Sequence, residues 1–385
     1  MVSKPDDSMN AGHSIHVDLG ERSYPIRVTG GASSVAAGSD SATGDFARHG
    51  QFLRACAADA NHWLVVFDEA VREKWAEPLS RGLGSGEVRV DSFSVASGET
   101  SKSIDSIGRM WNWILESGAD RKTVLVAVGG GVIGDLAGFA AATFARGIRF
   151  VQVPTTLLAM VDSSVGGKTG INLPGAKNMV GAFWQPEAVL VDTDVLSTLS
   201  DRSYRSGLGE VVKYGVIEDA EFFGWLESNA GALVARDSSA LQHAIDRSCR
   251  SKARVVNEDE RETSGRRAIL NYGHTFAHAI EATAGYGKLL HGEAVAIGMQ
   301  MAARLAIAMS MAPPELLTRQ TELLQNCGLP TEFEDADVEA MLTVMQRDKK
   351  VSHGKLRFIL PTRIGHVELV GDVCKDEVRR AILGR

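Results

Sequence analysis

Three side chains in the second half of the chain have the chemistry of a metal site: Glu210, His274 and His291. One carboxylate and two imidazoles form a ligand set for a catalytic divalent metal that keeps an open coordination position. A glycine-rich turn, GGGVIGD at 129–135, lies upstream and follows the apolar run 123–128. A strand that feeds such a turn is the usual place for a dinucleotide pyrophosphate. The two features together predict redox chemistry on a hydroxyl group that the metal holds.

Three histidines compete for the two imidazole positions. His274 and His278 are four residues apart and share one helical face, and His291 opens a further predicted helix. A lone histidine on an apolar face is more often a core residue than a ligand, but a cluster of three weakens that alternative. The spacing does not decide which two bind the metal. Glu210, in GLGEVVK, is the predicted carboxylate ligand, and a surface glutamate is its alternative.

The glycine-rich turn alone indicates a nucleotide only weakly, because any doubly wound fold can use such a turn between strand and helix. Asp135 favours a cofactor, since its carboxylate could accept hydrogen bonds from a ribose or a nicotinamide amide. Its alternative role is that of a first-turn acid that the helix dipole favours. Asp68, after the predicted strand 63–67, is a candidate for the adenosine ribose and equally a loop aspartate without that role.

Basic residues occur in the same stretches. Each alone is more typical of a solvated surface charge, but as a set with Asn178 and Asn271 they favour an acidic substrate that carries phosphate and carboxylate groups. The segment 162–170 can also offer backbone N–H groups to phosphate, although it lacks the P-loop spacing. The basic set comprises Lys168, Lys177, Lys213, Lys252, Arg267, Lys349 and Lys350, with Arg146 as a further member that could act across a subunit boundary.

Composition excludes several classes of protein. The 385 residues suffice for two domains, and a net charge of −7 argues against a general nucleic-acid or anionic-membrane surface. No apolar run reaches the roughly 18 residues of a spanning helix. Four widely separated cysteines without a CxxC pair indicate a reducing compartment. Residues 1–13 are polar and predict a flexible tail rather than an export signal, so the cytoplasm is the expected location.

The pattern of elements predicts an α/β protein with two domains. Strands alternate with helices such as 103–117 across residues 14–193, which predicts a Rossmann-like NAD-binding domain with a mostly parallel sheet. Residues 194–385 contain long apolar-periodic segments and predict an α-helical metal- and substrate-binding domain. Residues 33–50 are small and polar and predict a loop or a weak helix. The predicted strands are 15–19, 24–28, 63–67, 88–94, 123–128, 150–153 and 188–191, and the predicted helices of the second domain include 242–256, 274–284 and 292–310.

Longer motifs, in order from about Val17 to the C-terminus, resemble the 3-dehydroquinate synthase family of the sugar phosphate cyclase superfamily. The resemblance covers nearly the whole chain, and the motifs are highly specific in combination. They are GGGVIGDLAGFAAATFARGIRFVQVPTTLLAMVDSSVGGKTGINLPGAKNMVGAFWQP, GLGEVVKYGVI, NEDERETSGRRAILNYGHTFAHAIE, YGKLLHGEAVAIGM and MQRDKK.

The resemblance implies an activity and an assembly. The substrate would be 3-deoxy-D-arabino-heptulosonate 7-phosphate, and the products would be 3-dehydroquinate and phosphate, in the shikimate pathway to the aromatic amino acids. The reaction would combine transient oxidation by NAD⁺, β-elimination of phosphate, reduction and an intramolecular aldol step. The fold would pair a Rossmann-like N-terminal domain with an α-helical C-terminal domain, and the assembly would be a homodimer.

The resemblance also implies the site residues. Zn²⁺ or Co²⁺ would be held by Glu210, His274 and His291. The NAD⁺ contacts would be Ser97, Gly98, Glu99, Thr100, Ser101, Lys102, Gly131, Val132, Ile133, Gly134, Asp135, Thr155, Thr156, Lys168, Lys177, Val195, Leu196, Ser197 and Thr198. The substrate contacts would be Arg146, Asp162, Lys168, Asn178, Lys213, Lys252, Arg267, Asn271, His278 and Lys350.

The chain departs from the family pattern at two places. Ser97 stands where the family usually has aspartate, and one extra residue in 262–267 makes Arg266 an alternative to Arg267 as the carboxylate-binding arginine. Arg267 is chosen because it precedes Asn271 at the expected distance. The competing functions are a sister cyclase of the 2-deoxy-scyllo-inosose or epi-valiolone type, and a metal-dependent polyol dehydrogenase. Arg267, Asn271, His278 and the segment 348–350 favour the dehydroquinate branch.

Overall fold

The computed structural model describes residues 13–30, 41–84, 88–174, 176–285, 287–334, 336–347 and 356–384. The chain forms two compact units, Met1–Leu199 and Ser200–Arg385. Residues 1–12 of the predicted tail lie outside the described residues, and so do Lys349 and Lys350. Within the described ranges, no helix is both long enough and apolar enough to cross a membrane.

A seven-stranded sheet forms the centre of the first unit. Its strands are β1 (His13–Val17), β2 (Tyr24–Thr29), β3 (His62–Asp68), β4 (Arg89–Val95), β5 (Thr123–Gly129), β6 (Arg149–Pro154) and β9 (Ala188–Asp192). Their spatial order is β1-β2-β9-β6-β5-β3-β4, and every neighbouring pair is parallel except the antiparallel β1–β2. All seven predicted strands are confirmed, within two residues at each end. The helices are α1 (Ser41–Cys56), α2 (Glu69–Leu83), α3 (Ile104–Glu116) and α4 (Gly131–Thr143).

The central strands are buried on both faces. Every residue of β5 is buried, and β6 is buried from its second residue on. Helices cover both faces of a parallel sheet, which is why such strands appear as continuous apolar runs rather than as alternating ones. The predicted helix 103–117 is confirmed as α3, with Ile107, Met110 and Ile114 buried. In the segment 33–50, helix α1 begins at Ser41, and residues 33–40 lie outside the described part of the chain.

A β-hairpin interrupts the first unit where the sequence predicted a phosphate-binding loop. Strands β7 (Lys168–Leu173) and β8 (Ala176–Phe183) pair antiparallel, with Gly170 opposite Gly181. The loop prediction was therefore wrong for 168–170. Neither glycine tolerates a side chain here, because a Cβ at Gly170 would lie 2.5 Å from the Val180 carbonyl oxygen. The backbones approach closely, which composition alone did not indicate.

The second unit is mainly helical. Its helices are α5 (Asp201–Glu218), α6 (Ala220–Val234), α7 (Ser238–Glu258), α8 (His274–Ala284), α9 (His291–Ala308), α10 (Pro314–Asn326), α11 (Val338–Arg347) and α12 (Lys375–Leu383). The predicted helices 242–256 and 274–284 are confirmed within α7 and α8, and the predicted helix 292–310 corresponds to α9, which ends two residues earlier. The unit also contains a hairpin that was not predicted, formed by β10 (Arg357–Arg363) and β11 (His366–Gly371).

Gly138 fixes how closely α4 packs on the β7–β8 hairpin. A Cβ at this position would lie 2.4 Å from Thr169 Cγ2 and 3.1 Å from Phe150 Cε1. We expect Gly138→Ala to lower the free energy of unfolding by about 1–3 kcal/mol, because the buried neighbours must shift. In α3, Gly108 has no such neighbour within 4 Å, so Gly108→Ala is the matched control and should stabilise by roughly 0.5–1 kcal/mol. Urea unfolding of both variants measures the difference, and equal effects would contradict this packing.

A candidate metal centre and dinucleotide-binding segments

Glu210, His274 and His291 converge in the second unit. Glu210 Oε1 lies 3.5 Å from His274 Nε2 and 3.5 Å from His291 Nε2. One ligand atom from each residue lies within 4.8 Å of the other two, and this is the only such group of His, Cys, Asp and Glu side chains in the described ranges. The structure thus groups His274 and His291, and not His278, with Glu210. The spacing in the sequence did not decide between the three histidines. His278 is a near neighbour, with its ring centroid 5.7 Å from that of His274.

Close approach of helix backbones brings the three ligands together. Glu210 lies within α5, whereas His274 and His291 are the first residues of α8 and α9. A Cβ at Gly292 would lie 1.8 Å from the Ser206 carbonyl oxygen, and a Cβ at Gly209 would lie 2.6 Å from that of Gly292. Glycine at these positions therefore lets α9 begin against the backbone of α5. The Gly292 N–H also donates to Ser206 Oγ at 3.0 Å.

Neighbouring groups orient the two imidazoles. His274 Nδ1 lies 3.1 Å from the Tyr272 carbonyl oxygen, to which it can only donate, and this leaves Nε2 with its lone pair. His291 Nδ1 lies 3.6 Å from Glu281 Oε2. Such partners fix the tautomer and orientation of metal-binding histidines. Sequence reasoning missed Glu281, although its spacing of seven from His274 and three from His278 places it on their helical face.

The electrostatics suit a cation. Glu210 has no exposed surface, and its Oε2 is paired with the ammonium group of Lys213, which is 1% exposed. Burial holds the pKa of His274 well below its usual value, which favours the neutral, ligating form. Burial would also lower the pKa of His291, but the adjacent carboxylates of Glu210 and Glu281 outweigh burial and raise that pKa to about 10. The two carboxylates thus favour positive charge at His291, either a proton or a metal ion.

The donor set fits a divalent transition metal. Two imidazole nitrogens and one carboxylate oxygen suit Zn²⁺ or Co²⁺ and leave an open position for a substrate oxygen. The ligands come from three helices whose other contacts already fix them. We conclude that Glu210, His274 and His291 form a candidate metal centre.

The glycine-rich turn of the first unit joins β5 directly to α4. Gly130 is the N-terminal cap of α4, which begins at Gly131. The first-turn N–H groups of a helix have no partner within the helix and bind anions. Side chains would crowd this turn, since a Cβ at Gly131 would lie 2.9 Å from Ser163 Oγ. The adjacent Thr155 N–H donates to the Gly129 carbonyl oxygen at 2.9 Å. A pyrophosphate could approach this turn closely.

Lys102 organises the acidic and amide groups beside the turn. Its side chain is 5% exposed, and its ammonium group contacts both Asp135 Oδ2 and Asn178 Oδ1. An ammonium group has only donors, so it fixes the Asn178 amide with the oxygen towards itself. Asn178 therefore retains its NH₂ group as a donor. The structure brings together a predicted cofactor contact, Asp135, and a predicted substrate contact, Asn178.

Other predicted cofactor residues lie on loops and short turns. Ser97 Oγ donates to Asp68 Oδ1, and Asp68 also accepts from the Ala70 N–H at 3.0 Å as the N-cap of α2. Asp68 thus has a helix-capping role, and its ribose contact stays a prediction. Gly98 has a φ of 105°, and a single 3₁₀ turn spans Glu99–Ser101. A second 3₁₀ segment, Thr193–Thr198, carries Val195, Leu196, Ser197 and Thr198. Its N-cap is Asp192, whose Oδ2 lies 2.8 Å from His49 Nε2.

The predicted substrate residues divide between the two units. In the first unit, Lys168, Lys177 and Arg146 are exposed, and Asp162 lies partly buried in the π-helical turn Ala159–Ser163. In the second unit, Lys213, Lys252 and Arg267 are buried, and Asn271 and His278 are partly buried. The structure places Lys213 against Glu210 at the metal centre.

Arg266 and Arg267 have different surroundings. Arg266 forms ion pairs with Glu218 and Glu258, so carboxylates of the chain itself neutralise its charge. Arg267 is 2% exposed, its Nη1 donates to the Glu260 carbonyl oxygen at 2.6 Å, and its Nε lies 3.7 Å from Glu262 Oε1. The two arginines thus differ in burial, and the assignment of Arg267 to a substrate carboxylate stays a prediction.

Asp259 holds the loop that carries both arginines. Its carboxylate accepts from the N–H groups of Thr263, Ser264 and Arg267. Burial opposes ionisation of Asp259, but these hydrogen bonds outweigh it and lower the pKa to about 2. The charged Asp259 carboxylate thus anchors the loop that carries Arg266 and Arg267 at neutral pH.

The chain is similar to known proteins in both sequence and fold. The family descriptions 3-dehydroquinate synthase N-terminal and 3-dehydroquinate synthase C-terminal match residues 92–206 and 207–351. A 3-dehydroquinate synthase from Rhodopirellula baltica is 61% identical over 370 residues, which is 96% of each chain.

Two solved cyclases have the same fold. A 2-epi-5-epi-valiolone synthase from Streptomyces hygroscopicus, with NAD⁺ and Zn²⁺ bound, has a TM-score of 0.81 and 27% identity over 94% of this chain and 96% of its own. A 2-deoxy-scyllo-inosose synthase complexed with carbaglucose-6-phosphate, NAD⁺ and Co²⁺ has a TM-score of 0.84 and 26% identity over 96% of this chain and 99% of its own.

Glu281 gives a test of the metal centre that leaves all three ligands in place. We expect Glu281→Gln to raise the dissociation constant for Zn²⁺ by about 10–100-fold, because the carboxylate that orients His291 is lost. The matched control is Glu293→Gln. Glu293 lies two residues from His291 but pairs with Arg202, and glutamine preserves its capping of α9. Competition titration with a chelating dye measures both constants, and equal weakening by the two variants would refute the role of Glu281.

Proposed function

The chain belongs to the 3-dehydroquinate synthase family, and from this premise we propose that it converts 3-deoxy-D-arabino-heptulosonate 7-phosphate into 3-dehydroquinate and phosphate. The enzyme is a carbon–oxygen lyase of the shikimate pathway, with NAD and Zn²⁺ or Co²⁺ as its cofactors. One structural observation carries the proposal: Glu210, His274 and His291 converge on one point with their orienting partners in place.

The residues of the metal centre bind the metal and stabilise negative charge in the proposed reaction. When bound, the metal supplies a Lewis acid for a substrate hydroxyl group. Glu210, His274 and His291 hold it, and Lys213 holds the second oxygen of Glu210 while adding positive charge next to the hydroxyl. That charge stabilises an oxygen that becomes negative during the reaction.

The segments of the first unit define the cofactor roles. When bound, NAD⁺ supplies a hydride acceptor that is regenerated within each turnover. The N–H groups at the start of α4 receive its pyrophosphate, and Asp135 accepts hydrogen bonds from its polar groups. Lys102 pairs with the Asp135 carboxylate and holds it in place.

The remaining residues bind the acidic substrate. Asn178 offers its NH₂ group and Lys168 its ammonium group to the phosphate, so departure of phosphate leaves no uncompensated charge. Arg267 pairs with the carboxylate, and a guanidinium group can do so with two parallel hydrogen bonds. His278, beside the metal centre, assists by hydrogen bonding and proton transfer. In the proposal Arg146, Asp162, Lys252, Asn271 and Lys350 complete the substrate contacts.

The sister cyclases and a polyol dehydrogenase are less well supported. The solved cyclases are only 26–27% identical to this chain, whereas the R. baltica 3-dehydroquinate synthase is 61% identical. The buried Arg267 supports a substrate with a carboxylate. We also propose that the protein is a cytoplasmic homodimer that binds this small sugar phosphate and neither nucleic acid nor membrane, consistent with the net charge of −7.

The function is tested by phosphate release from 3-deoxy-D-arabino-heptulosonate 7-phosphate in the presence of catalytic NAD⁺. We expect phosphate and dehydroquinate in equal amounts, no net NADH absorbance, and loss of activity on chelation with recovery on adding Zn²⁺ or Co²⁺. Turnover of glucose 6-phosphate or sedoheptulose 7-phosphate instead would assign a sister cyclase. Steady accumulation of NADH with a polyol would assign a dehydrogenase.

A further inference from the structure

Asn172, in β7, joins two segments of the first unit. Its Nδ2 donates to Glu99 Oε1 at 2.7 Å, and its Oδ1 accepts from the Asn178 N–H at 2.9 Å. Its own N–H donates to the Lys102 carbonyl oxygen at 2.8 Å. One residue therefore binds the 97–102 loop through two contacts and the β8 strand through a third.

These partners belong to different ligands in the proposed function. Glu99 and Lys102 lie in the segment assigned to NAD⁺, whereas Asn178 is assigned to the substrate phosphate. Asn178 has a left-handed backbone, with a φ of 54°. Asparagine adopts this conformation more readily than most residues other than glycine, and here neighbouring groups fix it. Asn172 holds the Asn178 backbone N–H, and Lys102 holds its side-chain oxygen.

We propose that Asn172 is a positioning residue that couples the cofactor loop to the substrate-binding strand. It sets the rotamer of Glu99 and the backbone of Asn178 at the same time, so neither can shift without the other. The inference rests on the proposed function, because the ligands of Glu99 and Asn178 are assigned there. An amide suits this position, since its NH₂ group can donate to a carboxylate while its oxygen accepts from an N–H.

Asn172→Asp tests the coupling. The substitution keeps the acceptor for Asn178 but replaces the donor with a carboxylate that faces Glu99. We expect the dissociation constant for NAD⁺ and the KM for the sugar phosphate each to rise about tenfold, because a charge-assisted hydrogen bond becomes a repulsion. Metal content should stay at the wild-type value. Asn172→Ala, which adds no charge, should also raise both constants. This variant replaces Asn172→Asp in the test if the aspartate variant does not fold.

A second substitution distinguishes positioning from a general structural defect. Glu99→Gln places an amide donor opposite the new carboxylate of Asn172→Asp and so restores the bond with reversed polarity. In the Glu99→Gln background, the added effect of Asn172→Asp on KM should fall from about tenfold to below about threefold, as a double-mutant cycle for a direct contact requires. An unchanged tenfold effect in that background would overturn the proposal.

Asn61→Asp is the matched control. Asn61 Nδ2 donates to Asp120 Oδ2 at 2.9 Å, a bond of the same kind just before β3. We expect this variant to leave both constants within about twofold of wild type. Wild-type values of both constants in Asn172→Asp would overturn the coupling. NAD⁺ titration needs no turnover, so the effect of Asn172→Asp on NAD⁺ binding can be measured even if the wild-type protein releases no phosphate. Absence of phosphate release from the wild-type protein would refute the proposed function and not the role of Asn172.

Discussion

The carboxylate of Glu210 is fully buried between three helices, and the arrangement of the second unit depends on compensating it. Removing such a group from water costs several kcal/mol unless opposite charge and hydrogen bonds compensate. Lys213 forms an ion pair with Glu210 Oε2, and the imidazoles of His274 and His291 lie near Glu210 Oε1. A divalent metal at this point would complete the compensation, which explains why so costly a group lies at the convergence of α5, α8 and α9.

The first unit also contains a buried charge that neighbouring groups compensate, but there the charge is positive. There the buried cation is Lys102, and the groups gathered around it are the Asp135 carboxylate and the Asn178 amide. Backbone proximity makes both centres possible. Glycines allow α9 to begin against α5 and allow the two strands of the β7–β8 hairpin to meet, so polar side chains are brought to defined positions by packing.

The elements that the sequence predicted well are those with a strong apolar period. β5 and α8 have their predicted starts, because a continuous apolar run and an amphipathic helix are both visible in one dimension. The β7–β8 hairpin was missed because much of β8 is exposed and its sequence, AKNMVGAF, lacks regular alternation. The ligand types of the metal centre were predictable, but the separation of His291 from His278 depends on where α9 begins, which spacing does not show. Glu281 and Asn172 were missed because their roles come from contacts with neighbouring segments.

The central claim is that two particular histidines, together with Glu210, hold the metal. It is tested most directly by the Co²⁺ content and visible absorption of His274→Ala, His278→Ala and His291→Ala after equal loading, with circular dichroism to confirm that each is folded. We expect His274→Ala and His291→Ala to lose bound Co²⁺ and its visible bands, whereas His278→Ala should retain one ion per chain. Loss of the ion in His278→Ala, or full retention in His274→Ala, would contradict the claim.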